Sequence, residues 1–442
     1  SLIRARLSCV WPSLFILFIA PFSLSAQERS TAGLEVRVAP GQVSLVELAL
    51  PAPQSLNGEA DTSGTGALIH ETLTHALNLS GYFNLLETEL YPSEAAAEGM
   101  ETAFVPWSNS GAQGLVKIGW QTLSGGQVQL DLRLFNVDQQ KRVSITGFSE
   151  PVRSSADELR QQALKFADEL VRYYTGKAGF FGSQIAAVQQ VNGRKRVVLI
   201  SADGGAVSPV TRRGRLNLLP HFSRGRVYFT SYRNGGAHLF LYERGQLSSI
   251  SARSGLNMGA SLHPREDKIA LALSHEGSSD IYLLKGKSGE IIRRLTRSRS
   301  IDISPTWSPN GEQIAFVSDR EGTPQVWLMR ADGSGQRRFT FQGKYNQSPR
   351  WSPDGKWIVF TGRDEKYVFD IFKISVETGE ITRLTQNQGN NDGPSWSPDG
   401  RHIVFVSSRG GRSELYIMTS DGRSQRSLGS KSRGLKTPSW GR

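Results

Sequence analysis

Pro305-Thr306-Trp307-Ser308-Pro309-Asn310-Gly311, Pro349-Arg350-Trp351-Ser352-Pro353-Asp354-Gly355 and Pro394-Ser395-Trp396-Ser397-Pro398-Asp399-Gly400 are three copies of one heptapeptide, spaced by 44 and 45 residues. A shortened copy, Pro438-Ser439-Trp440-Gly441, follows after a further 44. Self-similarity at this period, with short strands between copies, is the mark of β-propeller blades. Within each copy the tryptophan ends an inner strand and packs between neighbouring sheets. Ser-Pro-Asp/Asn-Gly then makes the turn, because proline presets φ, Asp or Asn tolerates the left-handed region and glycine enters it freely.

The β-branched and aromatic runs Ile314 to Ser318, Ile358 to Gly362 and Ile403 to Ser407 follow the turns and have strand length. Val326 to Met329, Ile371 to Ile374 and Leu415 to Met418 predict third strands, and Arg338 to Thr340 and Arg383 to Thr385 predict short outer ones. Four strands make one blade. Earlier copies are degenerate. Pro220-His221-Phe222-Ser223 stands for the motif in blade two (Pro220 to Gly259), and His263-Pro264-Arg265-Glu266-Asp267 replaces the turn in blade three (Ala260 to Ser304). Gln184 to Val188, Val197 to Ser201 and Val207 to Thr211 give blade one only three strands. The terminal Pro438-Ser439-Trp440 is the missing inner strand, so the sequence predicts six blades closed by the C-terminal strand, since a ring leaves no open sheet edge.

The chain has 442 residues, too many for one ordinary core, and its 38% hydrophobic and 21% charged content is that of a soluble globular protein. Its first 26 residues read as a secretory signal. Arg4 and Arg6 precede the apolar run Leu14 to Phe22 and the small residues Ser23, Ser25 and Ala26, with cleavage after Ser25 or Ala26 and an uncleaved anchor as the alternative. The single cysteine, Cys9, lies in this leader. The remaining chain therefore has no disulfide or thiol chemistry. From Ala178 onward there are 39 basic and 22 acidic residues, a charge of +17, against 13 and 18 before it, a charge of −5. Such a basic propeller could meet anionic lipid, polysaccharide or an acidic protein. Export argues against nucleic acid.

Residues 27 to 176 read as an α/β domain, two helices on a small sheet, preceding a propeller over 177 to 442. Val43 to Leu50 is a buried strand, and a helix from about Ala67 to Ser80 is capped by Gly81. Glu87 to Ser110 is a loop with one helical turn. Leu115 to Leu123 and Gln127 to Val137 form a hairpin about Ser124-Gly125-Gly126, and Arg142 to Ser149 is a candidate third strand. A second helix begins at the capping box Ser155 to Glu158 and ends at Gly176. Within the first helix, His70-Glu71-Thr72-Leu73-Thr74-His75 resembles a zinc-protease signature. Its histidines are five apart, however, about 140° around a helix, and cannot share a metal as a spacing of four allows.

No G-x-S-x-G elbow, G-x-x-x-x-G-K loop or G-x-G-x-x-G fingerprint is present. Asp319, Asp354, Asp399 and Asp421 fall at turns. No catalytic, metal or cofactor residue is therefore assigned, although a secreted propeller hydrolase and a polyanion-binding propeller stand as alternatives. The candidate surface is the face where loops enter the inner strands. It carries Leu256, Asn257, Met258 and Gly259, then Ile301 and Asp302, then Tyr345 and Asn346, then Asn390, Asn391 and Asp392, joined by the loops Asp319 to Gly322 and Arg363 to Tyr367. Apolar tips among amides and charges suit a protein partner.

Taken together, the leader, Leu34-Glu35-Val36-Arg37-Val38, Ser80-Gly81-Tyr82-Phe83-Asn84 after the first helix, the P-x-W-S-P-D-G repeats and the terminal Pro-Ser-Trp resemble the TolB family of the Tol-Pal system. The resemblance covers nearly the whole chain after the leader. It implies a monomeric, non-enzymatic periplasmic adaptor without cofactor. Such an adaptor binds the peptidoglycan-associated lipoprotein Pal through one propeller face, with peripheral association to the outer membrane through Pal, and supports envelope integrity and constriction at division. Carried onto this sequence, the loop residues above would face Pal, while Leu34, Glu35, Val36, Arg37 and Val38 would bind the inner-membrane protein TolA.

Overall fold

The computed structural model describes residues 45–212, 214–233, 235–363 and 365–441. The leader and Leu34 to Val38 lie outside the described residues.

The first unit is one mixed sheet with helices against it. Its centre is the hairpin of Gly114–Thr122 and Gln127–Asn136, flanked by Val46–Ala49, which runs parallel to both Gly114–Thr122 and Phe83–Leu85. The candidate third strand is instead two short ones, Lys141–Val143 and Val152–Ser155, both paired with Gln127–Asn136. Between them Gly147 takes φ 81°, which a continuous strand does not allow.

Helices α1 (Thr65–Ser80), α2 (Phe104–Asn109) and α3 (Leu159–Thr175) complete this unit. α1 buries Ile69, Leu73, Ala76 and Leu77, while α3 buries Ala163, Phe166, Leu170 and Val171. These spacings of three and four residues put each set on one face, and the two helices pack against each other. Gly81 and Gly176 end α1 and α3 in the left-handed conformation. At the start of α3 the capping box is not made: Ser155 forms no side-chain cap and a single 3₁₀ turn, Ala156–Glu158, leads into the helix.

From Gln184 onward the chain is all strand. Four separate four-stranded sheets begin at the inner strands Asn257–Leu262, Asp302–Trp307, Asn346–Trp351 and Asn391–Trp396. An eight-stranded sheet holds Leu216–Ser223 and the three strands after it, the strands Gln184–Val191, Arg194–Ser201 and Val207–Pro209, and the last strand, Leu435–Gly441. That last strand pairs antiparallel with Gln184–Val191, Trp440 opposite Ile185. The inner strands pack in sequence, Leu216–Ser223 on Asn257–Leu262 and so on to Asn391–Trp396, which packs on Leu435–Gly441, which in turn packs on Leu216–Ser223.

The heptapeptide does in the structure what its residues dictate. Trp307 is buried between the aliphatic residues of the preceding sheet and Ile314 and Phe316 of its own, and its indole N–H donates to Ser261 O at 3.2 Å. Ser352 Oγ and the Lys356 N–H both bond Asp354 Oδ1, at 2.5 and 3.1 Å, and Gly355 closes the turn at φ 75°.

A second repeated device sits upstream of it. The residue before Pro-x-Trp, or before Pro220-His221-Phe222 and Ala260-Ser261-Leu262 in the degenerate copies, is left-handed in all six inner strands: Leu219, Gly259, Ser304, Ser348, Gly393 and Thr437, with φ between 48° and 69°. Each marks a bulge where the register shifts.

The two units share one hydrophobic core, in which Leu77, Phe166 and Phe180 pack with Ile417, Leu428 and Trp440. Ser80-Gly81-Tyr82 is the polar seam of that contact. Ser80 O accepts from His402 Nε2 at 2.8 Å, Tyr82 meets the His402 ring edge-on at 5.7 Å, and Arg401 lies 5.3 Å over Tyr82. A Cβ on Gly81 would come within 2.9 Å of Ser424 Cβ, so glycine is required there for packing as well as for its φ of 70°. His70 and His75 belong to this framework. His70 Nε2 bonds Leu50 O at 3.0 Å, and His75 Nε2 bonds Asp203 O in the propeller at 2.8 Å.

Candidate partner face and channel

In the four separate four-stranded sheets, the loop that enters the inner strand is stitched to the loop between the second and third strands or to that loop's edge. Leu256 N–H donates to Ser274 Oγ at 2.8 Å, Ile301 N–H to Asp319 Oδ1 at 2.8 Å and Asn390 N–H to Ser408 Oγ at 3.0 Å, while Arg363 N–H donates to Tyr345 O at 3.0 Å. These loops together form one face.

Burial divides the residues assigned to this face from sequence. Asn257, Asp302, Asn346 and Asn391 are fully buried, which corrects the expectation that they are loop tips. Their side chains close the blade instead. Asn346 Nδ2 donates to Gln325 Oε1 at 2.7 Å and Gln342 O at 2.8 Å, and Asn391 Nδ2 donates to Asp370 Oδ1 at 3.0 Å. Asn257 Nδ2 donates to Ala237 O at 2.9 Å, and Asp302 accepts from Arg320 at 2.9 Å. In each case the first residue of an inner strand reaches the third strand of the previous sheet or a loop at this rim. The loss of even one such buried partner would leave a polar group stranded. Gly259 is likewise a bulge residue lining the channel, not a tip.

Leu256, Ile301 and Asn390 are exposed, and Tyr345 and Asp392 are half-buried. Tyr367, on the joining loop, is exposed as well, and the structure adds Tyr232 and Phe341, with Ile301 52%, Phe341 69% and Tyr367 68% exposed. Arg363 lies 5.4 Å over Tyr345 and 5.2 Å over Tyr367, and Arg338 lies 5.3 Å over Phe341, so the aromatic tips are held by guanidinium groups. Phe341 follows Thr340, a buried residue of the outer edge, and nothing in its spacing separates it from a core position. That is why the sequence did not single it out.

A cavity of about 240 Å³ opens among these loops, lined by the bulge residues and by Asn390, Asp392 and Lys436. A second, of about 380 Å³, lies on the side where the inner strands end, and Arg350 lines both. Among the described residues no three His, Cys, Asp or Glu side chains are grouped to hold a metal. None of the described helices is long and apolar enough to cross a membrane.

The comparison with known proteins accounts for both units. Residues 34–143 match the model of the TolB amino-terminal domain, and residues 171–442 that of the TolB beta propeller domain. The chain belongs to the TolB family. It is 34% identical to a protein TolB homolog of Chlorobium luteolum over 97% of each chain. It is 36% identical to the Tol-Pal system protein TolB of Anaeromyxobacter dehalogenans over 96% of each. Its fold is similar to that of TolB from Acinetobacter baumannii, with a TM-score of 0.77 at 23% identity over 92% of this chain and 99% of that one. TolB-family membership makes the basic propeller with its N-terminal domain a Tol-Pal system component, and the seam at Ser80-Gly81-Tyr82 gives a physical reason for the S-G-Y-F-N signature.

Proposed function

We propose that this chain is a periplasmic, non-enzymatic adaptor that receives a Pal-like, peptidoglycan-associated lipoprotein on the loop face and a TolA-like inner-membrane protein through Leu34 to Val38, so linking the two membranes during envelope constriction. The propeller is read as six blades, over 177–442, closed by Leu435–Gly441; the pairing of that strand with Gln184–Val191 supports the reading. An α/β domain over 27–176 and a signal peptide over 1–26 complete it.

One observation carries the partner assignment. Of the seven large apolar side chains exposed from Tyr232 onward among the described residues, four (Leu256, Ile301, Phe341 and Tyr367) stand on loops of this one rim and Tyr232 lies at the rim end of the strand Arg226–Arg233; the other two, Leu247 and Ile292, lie on outer strands. Aromatic and aliphatic anchors ringed by polar loops are the composition of an interface core. The relevant assay is calorimetric titration of the mature chain with the soluble domain of the Pal-like lipoprotein from the same cell. Ile301→Asp combined with Phe341→Asp is expected to weaken binding at least about tenfold with an unchanged thermal midpoint. Equal affinity in that variant would remove the face from consideration.

A further inference from the structure

The six inner strands place one residue each at the same level of the channel, between the proline (Ala260 in the strand Asn257–Leu262) and the aromatic or aliphatic position that follows. These are His221, Ser261, Thr306, Arg350, Ser395 and Ser439. Three of the hydroxyls have a common task. Ser439 Oγ accepts from the Phe222 N–H at 2.9 Å, Ser395 Oγ from Trp440 N–H at 2.9 Å and Ser261 Oγ from Trp307 N–H at 3.4 Å, each bridging to the next inner strand. His221 and Arg350 break the pattern. They stand three strands apart in the packing order, on opposite walls.

Neither has a partner that explains it. Both ring nitrogens of His221 and Nε of Arg350 are buried without a hydrogen bond. Among the described residues the Arg350 guanidinium bonds only the carbonyl of Pro349, at 3.3 Å, and forms no ion pair. Among the described residues no acidic side chain lines the larger cavity that both share, while Arg224 adds a third basic group at its edge. In the adjoining cavity the only lining acid is Asp392. Its carboxylate is held by Thr361 Oγ1 at 2.8 Å and the Gly393 N–H at 2.6 Å and does not pair with Arg350. Arg350 is half-buried, with its Nε shut off from solvent, and it faces no counter-charge, whereas Arg294, Arg320 and Arg383 each hold a buried aspartate.

We propose that the channel binds a small oxyanion, a carboxylate or phosphate group, between Arg350 and His221, with Thr306 and the ring of serines lining the site. Arg350 supplies the charge and a planar fork of donors, and His221 donates one N–H from its neutral ring. Burial and the charge of Arg350 push the histidine down to about 3. A bound anion would therefore offset both strains.

The test is isothermal titration of the whole mature chain with inorganic phosphate and, separately, with acetate, at an ionic strength held constant. Titration with sodium chloride alone is the comparison. Saturable one-to-one binding of either oxyanion is expected, weakened at least about tenfold, ~1.4 kcal/mol, in Arg350→Gln. Because this substitution removes an uncompensated, half-buried charge, its thermal midpoint without anion should not fall. His221→Gln supplies the second reading should Arg350→Gln not fold, with the same direction of change. Undiminished phosphate and acetate binding in both variants would overturn the site, as would no saturable heat in the wild type. Saturation by chloride without competition from phosphate would overturn the oxyanion assignment.

Discussion

Acidification should weaken the seam between the two structural units, and His402 is the residue through which this is measured. Its Nε2–H donates to Ser80 O across the seam, and its Nδ1 is buried with no partner, so the ring is built to be neutral. Burial, more than any neighbouring charge, takes it down from 6.5 to about 4. Because the folded value lies below the unfolded one, the unfolded chain binds the proton more readily. Stability is complete above about pH 6.5 and falls as pH drops toward about 4.

At about pH 5 the unfolded imidazole is almost wholly protonated and the folded one only about one-tenth so. Linkage then gives a loss of about 2 kcal/mol relative to about pH 8 from this residue alone. The assay is urea unfolding at a series of pH values for the wild type and His402→Gln, whose amide can still donate to Ser80 O. His221 and the carboxylates titrate in both proteins, so the difference between the curves isolates His402. A gap that narrows by about 2 kcal/mol between about pH 8 and about pH 5 is expected. Parallel curves would show that the seam histidine is not held neutral and would refute the argument.

Two other substitutions test the propeller itself. Deleting Pro438 to Arg442 removes Trp440, whose indole donates to Ser183 Oγ at 2.8 Å and meets Phe180 edge-on, and leaves Gln184–Val191 without most of its neighbour. A loss of at least about 3–5 kcal/mol is expected from the tryptophan alone, and an unchanged unfolding midpoint would contradict the pairing. Ser348→Gly should stabilise by about 0.5–1 kcal/mol, because Ser348 sits at φ 53° and two of the six equivalent positions are already glycine. A lower midpoint would mean that the bulge is not strained.

Where chemistry repeats, the sequence was legible. The Trp-Ser-Pro-Asp-Gly copies named their turns, their buried tryptophans and the strands after them, because proline, glycine and Asx residues encode local backbone geometry. The left-handed residue before each proline was invisible for the opposite reason: Leu, Ser, Gly and Thr occupy one conformation, and it is the bulge, a property of paired strands, that imposes it. At the partner face, Asn257, Asp302, Asn346 and Asn391 were misplaced because an amide next to a loop looks the same whether it reaches solvent or a neighbouring strand. Only the packing of adjacent sheets tells these apart. Arg350 and His221 did carry a signal, namely two basic residues at a position where the other copies have Ser or Thr. It becomes a site only when the inner strands are known to surround one channel.

The pairing of Leu435–Gly441 with Gln184–Val191 also sets an order of events. A chain made from its N-terminus can form each four-stranded sheet in turn, from residues close in sequence, but the sheet that starts first remains one strand short until the final residues arrive. Trp440 also completes the core shared with the N-terminal helices. On the proposed six-bladed reading, a chain interrupted before Leu435 would leave the ring and the core shared with the N-terminal helices open at the same place.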